Sequence, residues 1–212
     1  LRNRSARPVS DSGCMPGPRS DVASSTAVAS VVAATDPDIA AVVLVVPAFG
    51  DEMAPPDPDG SRFESIKDLV LTADLDSFDP TVVGPLPVVS ADQLSSPSFV
   101  ETLTAFRWFI DSGGRFGTGW ENQATLSRLA TPTPFDAQAC VPNIDAPTLM
   151  VIAREDEESD ADVARAVFAT AGESRQLLTV DGGHFEVLYP DTPEFGISMT
   201  TQQRFLRTHL IG

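Results

Sequence analysis

"APTLMVIAREDEESDADVARAVFATAGESRQLLTVDGGHF", residues 146–185, is the stretch that decides the fold. Residues 146–156 are apolar without alternation and end in acids, as a strand covered on both faces would be. Residues 159–173 show helical spacing: Val163, Ala166, Val167 and Ala171 share a face, and Gly172 stops the run. Residues 174–183 are strand-like again. Strand, helix, strand predicts a parallel βαβ unit whose two strands are neighbours joined by a right-handed crossover.

In an open parallel sheet, ligands bind beyond the carboxyl ends of the strands. Asp156 follows one of these strands and His184 follows the next, so both are expected at one sheet edge. A carboxylate that reaches an imidazole N–H selects its tautomer and stabilises the imidazolium. Glu155 and Glu157 are weaker alternatives to Asp156. The plainer readings are an acid at a helix N-terminus, favoured by the macrodipole, and a turn histidine bonded to backbone. The glycines before His184 allow a sharp turn. His209, the other of two histidines, falls in the last turn of the closing helix and reads as structural.

Outward from this unit, "VASSTAVASVVAAT" (22–35) predicts a helix and "IAAVVLVVP" (39–47) a buried strand, with "DPD" breaking the chain between them. At the other end, residues 192–212 predict an amphipathic helix carrying Phe195, Met199, Phe205, Leu206 and Leu210. The fold class is therefore α/β with a parallel sheet. Residues 50–143 differ in character. Helices are expected over 62–75, 96–114 and 120–130, and an extended, proline-broken segment over 79–90, which together suit a mostly helical cap. Phe106, Trp108, Phe109, Phe116 and Trp120 would line an apolar pocket there or fill the cap's own core. Residues 1–20 are short of large apolar side chains and read as an atypical or disordered head.

Of the 212 residues, 30 are acidic and 14 basic, for a formal net charge of −16. That balance argues against nucleic acid or an anionic membrane as partner. No apolar run approaches the ~20 residues of a membrane helix, and no basic-then-apolar leader opens the chain. Cys14 and Cys140 are far apart, and unpaired thiols in a cytoplasmic protein are the expectation. No cysteine–histidine cluster argues for zinc. A metal-dependent hydrolase would have only Asp156, His184 and one further acid, a thin ligand set.

Residues 144–211, "IDAPTLMVIAREDEE…VDGGHFEVLYP…FLRTHLI", resemble the C-terminal portion of an α/β-hydrolase; residues 120–153 resemble the cap and return strand of bacterial esterase-like members, and the looser likeness extends over 24–211. The resemblance implies a core over 21–49 and 144–212 with a cap over 50–143. It implies Asp156 as the acid and His184 as the base of a serine hydrolase acting on a small ester-like substrate, with no cofactor. The family's nucleophile lies on a glycine-flanked elbow, G-x-S-x-G. Here "SDVASSTAV" (20–28) stands at that place, with Val22 and Thr26 at the glycine positions. Ser24 is the candidate nucleophile and Ser25 the second choice; alternatively both only start the helix as N-cap residues. With about three predicted core strands and no earlier ones, the chain reads as the C-terminal part of such a hydrolase, truncated or frame-shifted. Its sheet edge would be exposed, open to a second copy in a homo-oligomer, to another partner or to aggregation. A catalytically silent fragment or binding module is the competing expectation.

Overall fold

The computed structural model describes residues 25–73, 81–115, 117–128 and 136–211. The core begins with helix α1 (Ser25–Thr35) and strand β1 (Val42–Val45), and resumes with β4 (Thr148–Ala153), α5 (Ala161–Thr170), β5 (Arg175–Val180) and α6 (Pro193–Leu210). Between them lie α2 (Ser61–Thr72), β2 (Thr81–Leu86), α3 (Leu103–Arg115), β3 (Ala124–Arg128) and the short α4 (Ala137–Cys140).

The core sheet has the order β1-β4-β5, all parallel. Pairing runs from Val42 opposite Thr148 to Val45 opposite Val151, and from Thr148 opposite Arg175 to Ala153 opposite Val180. The central strand is buried at every position, which is why its sequence does not alternate. Met150 and Ile152 pack with Leu44 against Val31 of α1 and Val163 and Val167 of α5. Leu149, Val151 and Ala153 point the other way, onto Val187 and Phe205. The sheet is thus covered on both faces, with α6 closing one of them. Among the described residues, β1 and β5 are its edge strands.

The segment between the core parts is more mixed than its sequence suggests. Residues 79–90, expected to be extended, contain β2. Residues 120–130, expected to be helical, instead contain β3, which pairs antiparallel with β2 from Thr81 opposite Arg128 to Leu86 opposite Ala124. Local propensity over 120–130 is weak, and a cross-strand partner rich in valine outweighs it. The helix expected over 96–114 starts only at Leu103. Before it, the backbone N–H of Val100 donates to Val88 O, and Pro97 disfavours helix at the residue that precedes it. Trp108, Phe109 and Trp120 form an aromatic cluster with ring centroids 5.0 and 5.6 Å apart. Phe116 lies outside the described residues, as do Ser24 and Cys14.

The loop after β1 is fastened by Gln138, whose Nε2 donates to Phe49 O and Glu52 O while its Oε1 accepts from Ala54 N, each at 2.8 Å. Nearby, Arg62 bridges to Asp136 at 2.7 Å. Cys140 is buried and free, and burial beside Asp136 pushes its thiol up to about 12. No described helix is long and apolar enough to cross a membrane.

Candidate functional site

Parallel pairing of β4 with β5 brings the chain after Ala153 alongside the chain after Val180. The ladder continues past the strands: Arg154 N donates to Val180 O at 2.9 Å and Glu155 N to Gly182 O at 3.0 Å. This continued pairing sets the height at which Asp156 and His184 leave the sheet. His184 Nδ1 then lies 3.0 Å from both Oδ1 and Oδ2 of Asp156. The Asp156 side chain is only 3% exposed and that of His184 18%, so the pair is shielded from competing water. A carboxylate only accepts, so the shared proton sits on Nδ1 and leaves Nε2 free to accept another.

Asp156 is also held from its own loop. Its Oδ1 accepts from Glu158 N at 2.9 Å and Ser159 N at 2.8 Å, an Asx-type turn that orients the carboxylate independently of the histidine. The plainer role of helix cap belongs to Asp160, whose side chain accepts from Asp162 N and Val163 N. Of the neighbouring acids, neither Glu155 nor Glu157 meets the ring; Glu157 Oε2 accepts from the His184 backbone N–H at 3.2 Å.

The two glycines before His184 have different reasons to be glycine. Gly182 has φ +91°, a conformation that favours glycine. Gly183 lacks that need, but a Cβ there would run into the Glu157 carboxylate and lie 2.8 Å from Glu186 Oε2.

Two contributors had no sequence signal. Thr102 caps α3 by accepting from Ala105 N at 3.2 Å, and its hydroxyl donates to Glu158 Oε1 across 56 residues. Burial raises the Glu158 carboxyl above the ordinary glutamate range, a shift opposed by the Thr102 bond and by the nearby His184. The other link is Phe185, buried beside His184, whose ring lies 5.5 Å from that of Trp108. The aromatic cluster of α3 and Trp120 therefore rests on the residue next to the histidine.

Of the sequence-predicted site residues, Asp156 and His184 are together. Ser24 lies outside the described residues, and Ser25 opens α1. His209 lies in the last turn of α6, where its ring meets that of Phe205 at a tilt of 54° with centroids 4.6 Å apart. Cavities of about 190 and 260 Å³ flank Glu173 and Arg175. They open at the N-terminal end of β5, the sheet edge opposite Asp156 and His184. Among the described residues, no group of three or more histidine, cysteine, aspartate or glutamate side chains could hold a metal ion.

No protein-family model and no curated protein sequence matches the chain. Solved structures do. The α/β hydrolase GrgF from Penicillium sp. sh18 matches with a TM-score of 0.54 at 22% identity, over 88% of this chain and 61% of that one. DcsB, solved in complex with its substrate analogue, matches with a TM-score of 0.50 at 20% identity, over 88% and 62%. The chain thus spans about three fifths of the length of these structures. A parallel sheet with helices on both faces, matching solved structures of this class, gives the chain the α/β-hydrolase fold.

Proposed function

We propose that the protein is a serine hydrolase that cleaves a small carboxylic ester or related acyl substrate. Asp156 orients His184, His184 Nε2 takes the proton from Ser24, and the Ser24 oxygen attacks the acyl carbonyl. The carbonyl re-forms as the alkoxide leaves with the proton from His184, and water then releases the acid by the same steps. No cofactor takes part. One observation carries this reading: an imidazole fixed on a buried carboxylate at the carboxyl rim of a parallel sheet, with Nε2 left to accept. The core over 21–49 and 144–212 would supply the triad, and the block over 50–143 would cover the substrate.

A second reading is an α/β-hydrolase-fold domain without a working nucleophile. It is favoured by Val22 and Thr26, which stand where an elbow needs glycines. One experiment separates the two. Purified protein is treated with a fluorophosphonate probe and the adduct is mapped by peptide mass spectrometry. An adduct on Ser24 that disappears in His184→Ala supports the triad. An adduct on Ser25 moves the nucleophile by one residue. No adduct on folded protein defeats the hydrolase reading and leaves the silent domain.

A further inference from the structure

His184 is gripped twice by one short acidic turn. Asp156 holds its ring, and the next residue, Glu157, holds its backbone N–H through Oε2 at 3.2 Å. The preceding N–H, that of Gly183, donates to Glu186 Oε2 at 2.8 Å. Two consecutive amides at the histidine thus end on two carboxylates from different loops. Gly183 is the residue that permits it, because a side chain there would occupy the space of both carboxylates.

We propose that Glu157 is a positioning residue, which sets the His184 backbone against the Asp156 turn so that ring and carboxylate stay in register. The ladder bond from Glu155 N to Gly182 O ties the two loops only as far as Gly182. The bond from the His184 N–H to the Glu157 carboxylate carries that tie two residues further, to the backbone of the histidine itself. Glu186 completes the clamp from within the histidine's own loop. The catalytic consequence rests on the general-base role proposed above; the positioning itself does not.

The acceptor oxygen, rather than the negative charge, is what the clamp uses. Glu157→Gln retains an acceptor and Glu157→Ala removes it. The readouts are amide hydrogen exchange at His184 and the rate of fluorophosphonate labelling, measured on the full chain. Glu157→Ala should speed exchange of the His184 amide about tenfold and slow labelling about tenfold, with Glu157→Gln close to wild type in both. Unchanged exchange in Glu157→Ala overturns the proposal. Equal effects of Gln and Ala overturn it too, since they would assign the effect to charge. If the wild type is not labelled, the hydrolase reading fails and exchange alone decides the clamp.

Discussion

Replacing Asp156 with asparagine tests the location of one proton, the one shared between Asp156 and His184. In the wild type, the carboxylate accepts from Glu158 N and Ser159 N and faces His184 Nδ1 with both oxygens. Asparagine can keep its Oδ1 on the two backbone amides. Its NH2 group then takes the place of Oδ2 and donates to Nδ1, which favours the tautomer with the proton on Nε2. Stability should change by no more than about 1–2 kcal/mol, because no buried backbone donor is orphaned. Reactivity should fall steeply, because Nε2 can no longer accept. The corresponding change in a Ser-His-Asp protease costs about 10⁴-fold, or about 5 kcal/mol of barrier. Nitrogen-15 spectra of the imidazoles report the tautomer directly, and with only two histidines in the chain, His209→Gln assigns the signals. Fluorophosphonate labelling reports the rate. An Asp156→Asn variant whose His184 remains protonated on Nδ1 refutes the hydrogen-bond reasoning. A switched tautomer with undiminished labelling refutes the general-base role.

Three further outcomes are expected. Glu158 has a folded-state pKa raised by burial, so its stabilising protonation is fully present below the unfolded value and is lost as pH rises through the folded one. Glu158→Gln keeps an acceptor for Thr102 and carries no such loss, so its Tm should match wild type near pH 4 and exceed it near pH 7; a difference independent of pH refutes the assignment. Gly183→Ala should displace the flexible carboxylates of Glu157 and Glu186 at a cost of roughly 1–2 kcal/mol in urea unfolding, with faster exchange at both clamped amides; wild-type exchange would show that the added methyl is accommodated elsewhere. Cys140, buried with its thiol raised to about 12, should resist iodoacetamide at pH 8 in the native protein and react once unfolded, as read by peptide mapping; rapid native alkylation would contradict its burial.

Most of the core was legible in the sequence because its strands are extreme. Residues 148–153 are apolar at every position but the first, which only a strand buried on both faces requires, and the helix that follows has a clean apolar face and an aspartate cap. That order alone predicts two parallel neighbours, and hence an acid and a histidine at one rim. The segment between the two parts of the core was less legible. "ATLSR" has no strong preference of its own, and its state is chosen by β2, which lies about 40 residues earlier in the chain.

By itself, then, the sequence determined the βαβ unit, the side of the sheet on which Asp156 and His184 emerge, and the residue pair worth suspecting. Periodicity and turn chemistry are local properties, and they suffice for that. Only the tertiary structure decided which of three consecutive acids meets the ring. It also decided that Asp160 rather than Asp156 caps α5, that Gly183 clears space for two carboxylates, and that Thr102, at the start of α3, bonds Glu158. Each of these depends on where a side chain ends once the folded loops are in place. The distances that separate a hydrogen bond from no contact are a few tenths of an ångström, far finer than any spacing along a chain can encode.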